Sequence, residues 1–399
     1  AFIAMLDATH WCVMNFGQDG TFGGNVTAGG NADGNGYGNF KYAVPSGFLS
    51  LCSANLPEPT ITPSEHFNTI LYDDGAGAKT GVGFQPDLVW VKSRGSTYEH
   101  ELTDSVRGVT KALSSDSVNI ESTDSTGLTA FGADGFTVGA DTNYADTTGD
   151  GMVAWCWKAN GSGSSNEDGS INTTSTSANV SAGFSISTYT GTGSNATVGH
   201  GLSKAPELVI TKSRSNGVEW RVGSIQTLGS LDFTDYMQLD AASALTDFAT
   251  TWNDTAPTSS VVSVGTETAT NNSGYTYVNY CFHSVQGYSK VGSFLGNGSA
   301  DGPFIFCNFR PAWIMWKRLS STNQWVIHDS MRNISNQIDQ TIYGNLTDAD
   351  STADVIYTDF LSNGVKLRSG TAGNSNTAAS TYLYIVFAEQ PFKQHSNAR

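Results

Sequence analysis

The sequence predicts an all-β protein built from three tandem, diverged β-sandwich-like domains, and three observations carry that expectation. Gly, at 44 of 399 residues, exceeds its usual share of roughly 7%. Charged residues make up only 14% of the chain, and no long Glu/Lys/Leu helical stretch occurs. Short β-branched and aromatic runs alternate with Gly, Asn, Asp and Ser clusters, as strands alternate with turns. A hydrophobic share of 38% with 11% aromatic residues excludes a disordered chain.

The repeats justify the elements in order. Pro86-Asp-Leu-Val-Trp-Val-Lys-Ser-Arg94 recurs as Pro206-Glu-Leu-Val-Ile-Thr-Lys-Ser-Arg214 and again as Pro311-Ala-Trp-Ile-Met-Trp-Lys-Arg318. Proline opens each copy, where a strand's first residue misses no ladder N–H. The near-continuous apolar run that follows predicts a strand covered on both faces. An earlier strand precedes each copy (Thr69–Gly75, Ser185–Gly191, Lys290–Gly296), and a second strand follows it (His100–Thr103, Glu219–Val222, Gln324–His328). An aromatic strand closes each unit: Met152–Trp157, Tyr277–Phe282 and Leu383–Phe387. Four features in a fixed order identify a triplication. The prolines lie 120 and 105 residues apart (86, 206, 311), so each unit is domain-sized.

Boundaries follow: domains at 64–160, 181–285 and 286–393, a Ser/Thr/Asn linker at 161–180 and a tail at 394–399. Met331, Ile334, Ile338 and Ile342 are spaced for one short amphipathic helix. Residues 1–56 do not match the repeat. Val13–Gly17 reads as a strand ending a domain whose partner strands lie upstream, since one strand cannot bury its own apolar face. A Gly-rich stretch and a stiff Pro57–Pro63 boundary follow it.

A net charge of −16 argues against nucleic acid and anionic membranes, both of which reward Lys/Arg clusters. No apolar run approaches the ~20 residues needed to cross a bilayer, so no membrane insertion is expected. The five cysteines form no CxxC, which points away from zinc or redox sites and toward buried free thiols. No cofactor or metal is implied.

Several segments resemble a known family. Asn15-Phe-Gly-Gln18, Pro45-Ser-Gly-Phe-Leu-Ser-Leu-Cys52, Ala54-Asn-Leu-Pro-Glu-Pro59 and Phe84-Gln-Pro-Asp-Leu-Val-Trp90 resemble large tail proteins of marine tailed phages. In those, a SPRY-type, lectin-like sandwich precedes domains of unknown function carrying the Pro-Asp-x-Val-Trp-x-Lys segment. Asp104-Ser-Val-Arg-Gly108, Trp155-Cys-Trp-Lys158 and Phe387–Lys393 extend the likeness. The resemblance implies that residues 1–56 end a SPRY-like sandwich. It also implies a virion setting: a tail fibre or other host-facing appendage, assembled in the host cytoplasm among other virion proteins. It supplies no catalytic residue.

Asp104-Ser-Val-Arg107 recurs as Asp329-Ser-Met-Arg332, with His100 and His328 nearby. A catalytic triad needs fixed geometry, whereas the His-to-Asp spacing drifts and repeat 2 lacks the element. Asp104–Arg107 and Asp329–Arg332 therefore read as structural pairs. No pair of acids recurs as glycoside hydrolysis requires, so no catalytic residue is assigned. Asp146–Gly151 and Asn31–Gly36 offer oxygens beside glycines, but ordinary turns use the same residues. Sequence reasoning thus favours a non-enzymatic structural protein, with a glycan-depolymerising tailspike or a secreted bacterial adhesin as alternatives. A homo-oligomer, by analogy a trimer, would cover exposed sheet edges. Recognition of a host glycan is expected at loops that differ between repeats, where Trp252, Asn253, Asp254 and Tyr343, Asn345, Asp348 set aromatic faces beside amides and carboxylates.

Overall fold

The computed structural model describes residues 15–56, 59–229, 231–370 and 373–391. It is all-β with a sandwich-type fold, in two compact units that divide after Glu58.

In the first unit, Asn15–Gly17 is irregular, and the rest of the strand expected at 13–17 lies outside the described residues. Loops are tied by one buried carboxylate. Asp33 accepts the amides of Asn35 and Tyr37 (2.9 Å each), the amide and hydroxyl of Ser50 (2.8 Å each) and the Asn55 amide nitrogen at 2.7 Å. Burial pushes this carboxyl up, but those donors outweigh it and hold it well below the usual range.

In the second unit each repeat forms one main antiparallel sheet with the same strand order. An opening strand (Phe67–Tyr72, Phe184–Thr190, Ser289–Leu295) borders a closing strand (Met152–Trp157, Thr276–Phe282, Thr381–Pro391). A proline strand comes next (Leu88–Ser93, Leu208–Ser213, Phe309–Arg318), then a return strand (Glu101–Asp104, Arg221–Gln226, Val326–Asp329). Register confirms the equivalence, because Leu88 faces Trp157, Leu208 faces Phe282 and Trp313 faces Phe387. The prolines hold the same topological place. Pro86 and Pro206 stand just before their strands, while Pro311 lies within a longer one between two register shifts.

Both faces of each main sheet are covered, and strand alternation decides which residue goes where. In repeat 1 Met152, Ala154 and Cys156 face a small outer sheet built from Gly77–Thr80, Gly135–Val138 and Leu128–Gly132. Val153, Trp155 and Trp157 face inward, to a core shared by all three repeats. Repeat 3 repeats the pattern, with Tyr382, Tyr384 and Val386 outward and Leu383, Ile385 and Phe387 inward. At the shared core Trp157 meets Trp313 edge-on at 5.6 Å, Phe67 stacks on Phe387 at 5.0 Å, and Phe282 meets Phe387 at 6.0 Å. A cavity of about 20 Å³ remains there, walled by apolar side chains from all three repeats. That is room for about one water, but with almost no polar group to hold it the void stays dry.

Four expectations change. The repeats are not separate domains in series, because their inward faces merge into one core within a single unit. Residues 161–180 are no mere linker: Ser175–Asn179 is a strand hydrogen-bonded along the outer edge of the repeat 2 opening strand. No helix forms at 331–342, where turns expose Ile334 (80%) and lead to a short strand, Ile342–Tyr343. Cys156, Cys281 and Cys307 are buried free thiols, whereas Cys52 is exposed and Cys12 lies outside the described residues.

Candidate functional site

Of the residues singled out from the sequence, the two Asp–Arg pairs lie at the seams between repeats. Each repeat docks on another in a closed cycle. From repeat 2 the Trp220 indole donates to the Ser114 carbonyl of repeat 1 (3.0 Å), and Lys212 donates to Val118 (2.8 Å). From repeat 3 Trp325 donates to Gln238 of repeat 2, and Lys317 to Ala242, both at 2.7 Å. Repeat 1 closes the cycle on repeat 3, where Ser115 donates to the Gly344 carbonyl (2.6 Å) and Arg94 pairs with Asp350.

The Asp–Arg elements are the charged centres of two seams. Asp104 and Arg107 are both fully buried and 2.5 Å apart; Asp329 and Arg332 are likewise buried at 2.6 Å. Each Asp also accepts the two following turn amides, Val106 and Arg107 or Met331 and Arg332. Each then receives a donor from the closing strand of another repeat. The Tyr280 hydroxyl reaches Asp104 at 2.7 Å, and the Trp155 indole reaches Asp329 at 3.2 Å. Outward, Arg107 meets Glu121, which grips Arg214, and Arg332 meets Asp350, which grips Arg94.

At the third seam every member of this network is replaced. Register aligns Ser224 with the two aspartates and Ile385 with Tyr280 and Trp155. Leu319 stands where Arg94 and Arg214 stand, two after the lysine, and Leu245 donates its amide to the Leu319 carbonyl, as Glu121 and Asp350 do to Arg214 and Arg94. Removing one partner of a buried pair costs more than removing all. Thr227, three after Ser224, stands where each buried Arg stands, and the five positions therefore change together.

A catalytic arrangement around these aspartates does not form. The Ser105 hydroxyl donates to the Gly161 carbonyl, and His100 accepts from the Trp90 indole at 2.8 Å. His328 lies between the hydroxyls of Thr341 and Thr358, 2.9 Å from each. Burial drives both imidazoles well below their ordinary pKa, so they stay neutral. Among the described residues no three His, Cys, Asp or Glu side chains converge as metal ligands. Asp146 caps the amides of Thr148, Gly149, Asp150 and Gly151, the work of an ordinary turn.

The proposed sugar loops need correction. Trp252, at 0% exposure, ends the short helix Ala249–Trp252 and packs edge-on against Phe233 at 5.5 Å. Tyr343 is buried at 6%, next to Gly344, whose carbonyl accepts from Ser115. Asn345 accepts the Trp325 amide (2.8 Å), as Asp116 accepts that of His100 (3.2 Å) and Asp240 that of Trp220 (3.1 Å). Neither ring offers a face to a sugar. Only Asn253, Asp254 and Asp348 of the six are exposed. What gave the role of 343–345 away was comparison with 114–116 and 238–240, which strand patterning alone could not align.

A surface groove of about 260 Å³ remains at the seam of repeats 1 and 3. Asn68 and Thr69 of an opening strand form one wall, the Arg310–Glu389 ion pair (2.8 Å) another, and exposed Met331 and Ile334 its lip. Sequence reasoning noticed the last two, but as a helix face. A family described as "Domain of unknown function (DUF7483)" matches residues 62–391, which span all three repeats. No curated protein matches the chain.

Proposed function

We propose, for a chain that belongs to the DUF7483 family, a structural and binding role without catalysis, as part of a tail fibre or other host-facing appendage of a tailed phage. One observation carries the non-catalytic reading. The side chains that mimic a catalytic set are all buried and already engaged: Asp104 and Asp329 bind donors from another repeat, and His100 and His328 are held by Trp90 and Thr341 of their own repeats. Support for the virion setting comes from the resemblance of Asn15–Gln18 and Phe84–Trp90 to phage tail proteins. On this reading the groove beside Arg310 and Ile334, with the exposed tips at Asn253, Asp254 and Asp348, contacts a host-surface glycan or a neighbouring virion protein. The chains assemble as a homo-oligomer, by analogy with fibres a trimer. Antibodies raised against the purified chain test this. They are expected to label the tail tip in electron micrographs of particles and to slow adsorption. Particles that carry no label, or cleavage of host glycan by the purified chain, overturn the proposal.

A further inference from the structure

The return strand of repeat 1 begins at a group of acids, of which only Asp116 faces a cation, Lys92. Glu101 opens that strand and Glu99 lies two residues before it, and both carboxylates converge on one hydroxyl. The Ser114 hydroxyl lies between them, 3.2 Å from Glu99 Oε2 and 3.3 Å from Glu101 Oε1, and the Asn143 amide is 3.2 Å from Glu101. Asp116 adds a third carboxylate, held by the His100 amide between the two glutamates. Glu101 is only 5% exposed, and its Oε2 has no hydrogen-bond partner; nor has Asp116 Oδ2. A buried, unpaired carboxylate oxygen is expensive to keep.

The other two repeats show what this position normally contains. Register aligns Glu101 with Arg221 and Val326. In repeat 2 the Arg221 guanidinium sits 3.6 Å from Glu219, the counterpart of Glu99, and 2.5 Å from Glu267. The counterpart of Asp116 there is Asp240. In repeat 3 the same three positions are Gln324, Val326 and Asn345, with no charge at all. So one repeat balances its acids with a fixed cation and one has neither, while in repeat 1 Lys92 faces Asp116 but no guanidinium stands between Glu99 and Glu101.

We propose that repeat 1 binds a divalent cation of the calcium class at Glu99 and Glu101, with the Ser114 hydroxyl as a neutral ligand. The ion takes the place that the Arg221 guanidinium holds in repeat 2. Calcium suits this set better than magnesium because it accepts irregular oxygen geometry, mixed carboxylate and neutral donors, and water. Two carboxylates and a hydroxyl form an open site of the modest affinity typical of extracellular modules. Asp116 contributes charge from beside it.

Thermal melting of the full chain, with and without calcium chloride at about 10 mM, tests the proposal. The wild type is expected to melt several degrees higher with calcium, at matched ionic strength. Magnesium is expected to give a smaller shift. Glu101→Gln removes the calcium response, and Glu101→Arg removes it while installing the repeat 2 solution. Glu99→Gln, at a partly exposed position that folding tolerates, gives the same readout should either Glu101 variant fail to fold. Asp146→Asn, in the other acidic loop, keeps the response. No wild-type shift, an undiminished shift in the Glu99 or Glu101 variants, or an equal shift with magnesium each overturns the assignment.

Discussion

Asp329 accepts from two turn amides, the Arg332 guanidinium and the Trp155 indole, all within a region that water does not reach. Asp329→Ala would strand a buried guanidinium and an indole N–H at once, and is expected to cost about 3–5 kcal/mol in urea unfolding. Ser224→Ala removes only the hydroxyl's bond to the Glu207 carbonyl (2.7 Å), expected to cost about 1 kcal/mol. Equal losses at the two positions would contradict a charged lock at one seam and an apolar one at another. The seam lysines make a second residue-scale case. Burial lowers Lys92 and Lys212 to about 8 and Lys317 to about 7 from an ordinary value of 10.5. Lys317 therefore loses its proton in the folded state well before it does in the unfolded chain. Between about pH 7 and 10.5 the unfolded state binds more protons, so this lysine's contribution to stability rises with pH across that window. Lys317→Met should flatten that rise relative to wild type, by on the order of a few kcal/mol between neutral and mildly alkaline pH. Parallel stability–pH curves for the two proteins would sink this account.

At the scale of the element, the three opening strands differ in one respect. Thr188 accepts from the Thr174 amide, so Phe184, Ile186 and Thr188 turn their backbone groups toward the added strand Ser175–Asn179. The matching groups at Phe67, Thr69 and Leu71, and at Ser289, Val291 and Ser293, face away from their closing strands, because His66 and Tyr288 accept from those strands. Side chains cover two of these amides: Asn68 caps Thr69 (2.9 Å) and Ser284 caps Val291 (3.0 Å). Amide exchange read by mass spectrometry should be slower across 184–190 than across 67–72, and Ser177→Pro should erase the difference. Equal protection in the wild type would mean that the added strand does not seal this edge. This strand also marks a limit of sequence reading. The main strands were legible because apolar runs led by proline and followed by lysine recur in register. Ser175–Asn179 has no such run; a Ser/Thr strand packed against Ser187 and Thr188 reads as linker when its neighbour is unknown. The same limit hid the role of Trp252. Its polar surroundings suggested an exposed loop, yet the indole fills the space that the bare backbone of Gly223 leaves open. The Asp–Arg pairs were legible as structural, but their loss in repeat 2 made sense only once Ser224, Ile385, Leu245 and Leu319 were seen across a seam.

For the whole molecule the decisive feature is that each main sheet has two apolar faces and only one outer sheet of its own. An apolar run buried on both sides announces two coverings without saying what supplies the second. Here it is the other two repeats. In repeat 2 the inward face presents Phe184, Ile186, Leu208, Ile210, Val222, Tyr280 and Phe282, all buried within the shared core. Alone, residues 181–285 would leave that face in water, a contiguous patch beyond the ~300–600 Å² that a soluble monomer tolerates. They would also lose the strand Ser175–Asn179 and the carbonyls of Ser114 and Val118, which receive Trp220 and Lys212. The three repeats should therefore fold as one cooperative body despite their domain-like length. Calorimetry of the full chain should show one transition for the three repeats, with calorimetric and van 't Hoff enthalpies in agreement for that transition. An isolated 181–285 fragment should be unfolded or aggregated. Separate transitions for the repeats, or a fragment that melts cooperatively by itself, would show that each sandwich stands on its own outer core and that the shared aromatic centre is an interface added later.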